Sequence, residues 1–220
     1  MSLASRPFPT LPEPLRLSQP EERCLGELAA RAIKDCVRGA QEDSAEKIAE
    51  FAKAAGGIGE IPPRLGECVG VFVTLFTHGE DLRGCLGTAE GREPLYLAVP
   101  RLARATASRD YRFSPLEGHE LPSLSVEISI LGALTRLPAD PAELLLGLNP
   151  QIHGVYLHAE GRSGLLLPQV AQRLGWGAQE LLEQVSLKAG LSRGAWRTGE
   201  ILGFTAHGFE VVKTGDLSIE

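Results

Sequence analysis

Apolar positions along the chain alternate between two periods, and the change of period marks the elements. Leu25, Leu28, Ala29, Ala32, Ile33, Cys36 and Val37 fall at i, i+3, i+4, i+7, i+8, i+11 and i+12. This single stripe predicts an amphipathic helix. Ser18 with Glu21 three residues on forms its capping box, and Gly39 stands at its stop. Ser44–Gly57 predicts a second short helix with a glycine stop, and "IPPRLGE" breaks helical continuity. Cys68–Phe76 is dense in β-branched and aromatic residues and predicts a strand. "THGED" then reverses the chain, and "LRGCLGT" returns as its hairpin partner.

Glu93–Asp110 has a helical pattern with Pro94 near its first turn, and Pro100 is expected to kink or divide it. "YRFSPLEGHELPS" is loop. "LSVEISILGAL" alternates, so Val126, Ile128 and Ile130 share one face of a strand and Glu127 and Ser129 the other. Asp140, Pro141 and Glu143 supply cap, N1 and N3 of a short helix through Leu148. "IHGVYLHAEGRSGLLLP" predicts a second hairpin with "AEGRSG" as its turn. "WGAQELLEQVSLKAG" predicts an amphipathic helix closed by Gly190, and "EILGFTAHGFEVV" a last strand or hairpin. No βαβ alternation is present, which favours an α+β fold with a largely antiparallel sheet flanked by helices. Residues 1–17 are proline-rich and aperiodic and read as an extended arm before a single domain over 18–220.

Composition narrows the function classes. A 220-residue chain can bury a sizeable core. A net charge of −6 leaves no basic excess for tracking a phosphate backbone, and 5% aromatic residues give few stacking platforms, so nucleic-acid binding is disfavoured. The N-terminus lacks a basic stretch followed by an apolar core, and no apolar run approaches a bilayer span, so a cytoplasmic protein without a membrane segment is expected. Cys24, Cys36, Cys68 and Cys85 form no C-x-x-C pair. They are expected to be reduced, with Cys24 and Cys36 in the core.

Four stretches could carry chemistry. In "LRGCLGT", alternation places Arg83 and Cys85 on one face of a strand, where a guanidinium would favour a thiolate. Gly84 and Gly87 remove bulk beside the thiol and open room for a ligand or another backbone. Such a thiol could be nucleophile, metal ligand or anion-recognising group, or a buried cysteine beside an arginine that bridges to a carboxylate. In "ASRDYRF", Asp110 and Arg112 follow a helix, as an anion-binding fork or a local ion pair. Glu127 is an acid within an apolar strand and needs a partner such as Arg83 or Arg112, or could act as a general base. His153 precedes Gly154 at a strand entrance, and Arg162 lies in the following turn. His153 and His158 are five residues apart and point to opposite faces of a strand, which argues against a two-histidine metal site. G-x-S-x-G, Walker and H-E-x-x-H templates are absent.

Taken in order, these segments resemble the AMMECR domain family. "LRGCLGT" resembles its R-G-C-[IL]-G segment, "ASRDYRF" its D-P-R-F, and "VEISIL" its E-[IV]-S-[IV]-L strand. "HGVYL" with "GRSGLLLPQV" resembles its H-G…R-x-G-x-[FL]-L-P-Q-V stretch, and "LKAGL" with Trp196 its C-x-K-A-G-L…W. The match spans roughly Ser18 to Val212. Tyr111 replaces the usual proline, and Ser186 replaces a common cysteine. The resemblance implies an α+β domain with a larger and a smaller lobe. It implies no settled activity and no cofactor. It implies pathway neighbours in prokaryotes, namely a Memo-like protein with a dioxygenase fold and a radical S-adenosylmethionine enzyme.

Two readings follow. In one, the chain is an enzyme or an enzyme subunit, with Cys85, Glu127 and His153 as catalytic groups. Arg83, Gly84, Gly87, Asp110, Arg112, Arg162 and Gln169 would bind a small anionic ligand. In the other, the same polar residues fix the fold of a scaffold or partner-binding protein.

Overall fold

The computed structural model describes residues 8–55, 59–78 and 81–212. The chain forms two compact units. Of the described residues, one comprises 15–130 with 207–212, the other 8–14 with 131–206. The fold is α+β, as the mixed periods require.

The first unit holds α1 (Gln19–Val37), α2 (Ala45–Ala55), β1 (Val71–Thr77), β2 (Asp81–Thr88), α3 (Leu95–Arg109), β3 (Leu124–Leu131) and, after the other unit, β8 (Ala206–Val212). α1 begins as its capping box requires, with the Glu21 carboxylate accepting from the Ser18 amide and hydroxyl at 2.8 Å each. The second helix starts one residue after its predicted N-terminus, and its glycine stop lies outside the described residues. The sheet runs β2-β1-β3-β8, and the described pairs β1–β2 and β1–β3 are antiparallel. Val71, Val73, Leu75, Val126, Ile128 and Ile130 are fully buried in one cluster with Leu25, Leu28 and Ile33 of α1 and Val99 and Leu102 of α3. Cys24 lies in that cluster and Cys36 packs against it.

Pro100 does not divide α3, which is continuous from Leu95 to Arg109. A proline in a helix removes only one ladder bond when its ring is accommodated, and here the ring is buried within the helix's core-facing stripe. The loop before β3 contains one short 3-10 turn, Gly118–Ser123.

The second unit holds β4 (Thr135–Arg136), α4 (Pro141–Gly147), β5 (Gly154–Ala159), β6 (Arg162–Leu166), α5 (Pro168–Leu174), α6 (Ala178–Lys188) and β7 (Glu200–Phe204). Asp140 caps α4 by accepting from the Ala142 and Glu143 amides at 3.0 Å. The sheet runs β4-β7-β5-β6 with antiparallel pairs throughout. The β5–β6 turn is tighter than its sequence reading. Ala159 pairs with Arg162, leaving Glu160 and Gly161 as a two-residue turn. Both have positive φ, 53° and 71°, the requirement of a type I′ hairpin. "EILGFTAHGFEVV" is no hairpin, because β7 and β8 belong to different sheets.

Helix α6 lies so close to β6 that a Cβ on Gly164 would sit 2.6 Å from the Val185 carbonyl oxygen and 2.9 Å from the Ala189 nitrogen. Both neighbours are backbone and cannot rotate away. Gly164→Ala is expected to destabilise this unit by about 1–3 kcal/mol, read as a lower urea midpoint. A midpoint equal to the parent's would contradict this packing.

Candidate functional site

The chemistry-bearing residues of the first unit lie on the polar face of its sheet. Thr74 of β1 is directly opposite Cys85 of β2 and directly opposite Glu127 of β3. Residues opposite one another in an antiparallel sheet project to the same face. Cys85, Thr74 and Glu127 therefore form one cross-strand row, and strand spacing sets the Cα atoms of Cys85 and Glu127 about 10 Å apart. The Thr74 hydroxyl donates to the Cys85 sulfur at 3.3 Å. The next row is Gly87, Phe72 and Ser129, and the Ser129 hydroxyl donates to Glu127 at 3.3 Å.

β2 is an edge strand at Cys85, so its outward backbone groups need partners other than a neighbouring strand. Asp110, at the C-terminal cap of α3, supplies one by accepting the Cys85 N–H at 2.9 Å. Arg112 supplies the other by donating to the Cys85 carbonyl at 3.2 Å. Asp110 and Arg112 are themselves joined by bonds of 2.6 and 2.9 Å. The Asp110 side chain is 1% exposed. Its carboxyl is held down at about 2, first by the Arg112 guanidinium and next, against the cost of burial, by the Cys85 and Arg112 amides. Arg112 is raised above its ordinary value, chiefly by its bond to Asp110, with a smaller contribution from the charge of Cys85. Asp110 and Arg112 thus make the local pair that the sequence allowed, and they use it to hold the thiol's backbone.

Arg83 does not share the row of Cys85. Leu75 pairs with Gly84 and Phe76 with Leu82, so Arg83 is the extra residue of a β-bulge. The bulge leaves Arg83 without an opposite residue on β1. Its guanidinium instead makes a two-pronged pair with Glu120, at 2.6 and 3.1 Å. Glu120 is the residue sequence reasoning missed. It lies in a stretch read as loop, and its signal was weak: an acid three residues after Glu117, whose amide it also accepts at 2.8 Å. The Glu120 carboxyl is lowered first by Arg83. Phe113 carries both guanidinium groups, Arg112 at 5.4 Å and Arg83 at 5.9 Å from its ring centroid.

The two glycines of "RGCLG" are used from within. A Cβ on Gly84 would lie 2.9 Å from Thr106 Cγ2, and one on Gly87 would lie 2.3 Å from Phe72 Cγ, across the strand pair. Their missing side chains make room for the fold's own helix and ring; of the two occupants the sequence allowed, a ligand or another backbone, the chain itself comes close at both.

The remaining sequence-predicted residues belong to the other unit. The Nδ1 atom of His153 accepts the Asn149 amide at 3.1 Å, and Phe8 stacks on its ring with centroids 5.6 Å apart. Burial lowers the pKa of this imidazole. Arg162 donates to the Gly190 carbonyl at 2.6 Å, capping the end of α6 where a cation is favoured. Gln169 lies in the first turn of α5. Ser186, fully buried, donates to the Leu182 carbonyl at 2.8 Å and accepts the Trp196 amide at 3.2 Å. It pins the tryptophan of the "LKAGL…W" stretch without needing sulfur. Among the described residues, no cluster of His, Cys, Asp and Glu could hold a metal ion, and no helix is long and apolar enough to cross a membrane.

The fold and the site define an α+β protein of two sheets with a threonine-bonded thiol on a clamped edge strand. Comparison with known proteins then places the chain: residues 27–209 match the AMMECR1 family model, and the protein belongs to that family. Protein MK0488 of Methanopyrus kandleri is 38% identical over 170 residues, covering 74% of this chain and 82% of that protein. A protein of Thermofilum pendens is 35% identical over 217 residues, covering 92% of this chain and 95% of its own. The crystal structure of the uncharacterized protein PH0010 from Pyrococcus horikoshii superposes with a TM-score of 0.79 at 31% identity, covering 89% of this chain and 94% of that one.

The Asp110 carboxylate gives the site a pH signature. Its folded pKa lies below the ordinary 3.8, so its contribution is complete above pH 3.8 and is lost as pH falls through about 2. The shift corresponds to about 2 kcal/mol. Asp110→Asn is expected to remove this acid-dependent loss of stability and to lower stability at pH 7. Identical acid-unfolding profiles for the two proteins would show that the clamp does not form.

Proposed function

We propose that this chain is an enzyme, or the substrate-handling subunit of one, whose reactive group is Cys85. The observation that carries the reading is the Thr74 hydroxyl bonded to the Cys85 sulfur at 3.3 Å, in a row that ends on Glu127. A donor to sulfur favours the thiolate over the thiol, and the nearby Arg112 charge acts in the same direction. In this reading the thiolate attacks an electrophilic carbon of a small molecule. A sulfur–carbon bond forms and the displaced group leaves with the bonding electron pair, while the proton given up by the Cys85 thiol is taken by the Glu127 carboxylate and returned to the leaving group. Asp110 and Arg112 hold the nucleophile's backbone. An anionic substrate group would have to share or displace the carboxylates that already fill the forks of Arg83 and Arg112. Pathway partnership with Memo-like and radical S-adenosylmethionine proteins, and a cytoplasmic location in which all four thiols stay reduced, belong to the same reading.

One observation favours the scaffold alternative. Both arginines of the first unit's site are paired with carboxylates of their own unit, and Asp110 is buried, so removing Arg112 would leave an uncompensated charge in the fold.

Alkylation kinetics separate the two. Cys24 is buried, and burial followed by the Glu27 charge raises its pKa to about 11. Iodoacetamide near pH 7 is expected to label Cys85 at least tenfold faster than Cys24, and Thr74→Val is expected to slow Cys85 by severalfold while leaving exposed Cys68 unchanged. Equal, slow labelling of Cys85 and Cys24, unaltered by Thr74→Val, would leave the scaffold reading standing.

A further inference from the structure

The N-terminal strap is anchored to the second unit at two places of different chemistry. Leu11 is buried in that unit's apolar cluster. Its Cδ1 lies 3.0 Å from where a Cβ on Gly203 of β7 would be. The Thr205 hydroxyl bonds to the Pro12 carbonyl. Nothing in this anchor titrates. Three residues earlier, Phe8 fills a socket. Its floor is Gly147, at the end of α4, where a Cβ would stand 2.0 Å from Phe8 Cδ2. Its wall is the His153 imidazole, inclined only 12° to the Phe8 ring. The strap lies outside the stretch that matches the family model, whereas Gly147 and His153 lie inside it.

The wall is held in place by a bond that requires a neutral imidazole. The Asn149 amide donates to His153 Nδ1 at 3.1 Å, so the ring's own proton is on Nε2. Protonation would put an N–H on Nδ1, facing the Asn149 N–H, and two donors repel. It would also place a charge beneath the Phe8 ring. Among the described residues, the imidazole's ring and hydrogen-bond partners are Phe8 and the Asn149 amide, neither titratable. Burial is the cause of its lowered pKa.

We propose that Phe8 and His153 form a pH-gated latch: while His153 is neutral Phe8 is closed on Gly147, and protonation of His153 releases Phe8 while Leu11 stays anchored, uncovering the socket between Gly147 and His153. Release follows from the sign of the linkage. Covering the ring depresses its pKa, so the closed latch is fully favoured above the ordinary histidine value near 6.5 and is lost as pH falls below it. One effect opposes release, because a cation attracts the face of an aromatic ring. That attraction does not restore the acceptor taken from Asn149. The latch stands independently of the Cys85 chemistry.

Solution NMR of the full chain tests it. Contacts between the Phe8 and His153 rings are followed from pH 8 to pH 5, with the Leu11 methyl signals as an internal control. The latch predicts that the ring contacts disappear with the midpoint of the His153 titration and that Leu11 does not shift. It also predicts that His153→Gln, which keeps a side-chain acceptor but cannot titrate there, leaves the Phe8 signals independent of pH. By reciprocity, Phe8→Ala is expected to raise the His153 pKa toward 6.5. Ring contacts that persist or tighten below the midpoint, or a His153 pKa unmoved by Phe8→Ala, would overturn the proposal. Loss of the Leu11 contacts together with those of Phe8 would overturn it as well, since the strap would then be detaching as a whole.

Discussion

The geometry around Cys85 depends on one buried carboxylate. An edge strand has a difficulty: its unpaired amide and carbonyl invite water or another strand, and either would let the strand shift. Asp110 resolves this because it ends α3 at the height of β2. One oxygen takes the Cys85 amide while both take the Arg112 guanidinium, whose Nη2 also donates to the Cys85 carbonyl. The edge is closed by side chains at a single residue, and the thiol is held without a covering strand. Burying an acid is costly unless it stays ionised by partners. Here the guanidinium and two amides keep it ionised. An asparagine at this position could not hold both an amide donor and a guanidinium with full charge.

The β-bulge is the second constraint, and it works with the first. The extra residue leaves Arg83 without a partner on β1, and its guanidinium is taken by Glu120. Phe113 lies against both guanidinium groups. The two arginines therefore divide the work. Arg83 and Glu120 fix the hairpin's far end, and Arg112 and Asp110 fix the strand at Cys85. Placement of the charges decides which arginine influences the sulfur, and it is the one 27 residues away in sequence.

The elements that were readable in the chain are those whose cause is local. The stripe of α1, the Ser18–Glu21 box, the Asp140 cap and the Val126–Ile130 alternation each depend on neighbours within a few positions, and the structure carries each of them. The site was readable as a neighbourhood, since Cys85 and Glu127 do share a face. Its wiring was not. Thr74 drew no notice because a threonine in a strand is ordinary, and only the register of three strands places it between the thiol and the acid. Glu120 was hidden by an irregular segment, and the bulge at Arg83 by the assumption of unbroken alternation. Gly87 was visible as a glycine, but its reason is Phe72 on the neighbouring strand. His153 was visible as a histidine, but its partners are a turn amide four residues back and a ring near the N-terminus.

The order of strands imposes a last requirement on the chain. β3 and β8 are neighbours in one sheet although the whole of the second unit's sheet intervenes between them in sequence. Bringing the ends of an inserted segment of about 75 residues together costs about 4 kcal/mol in chain entropy. The structure meets this cost at the ends themselves. The Gly132 amide donates to the Thr205 carbonyl at 2.8 Å, tying the first and last residues of the insertion by their backbones. Gly132 has no freedom to be anything larger, because a Cβ there would sit 2.4 Å from the Pro12 carbonyl oxygen. Thr205 completes the knot by giving its hydroxyl to that same oxygen. Three segments distant in sequence meet on one glycine and one threonine. The insertion can therefore build a separate apolar cluster, with its own tryptophan and its own buried serine, without pulling apart the strands that flank it.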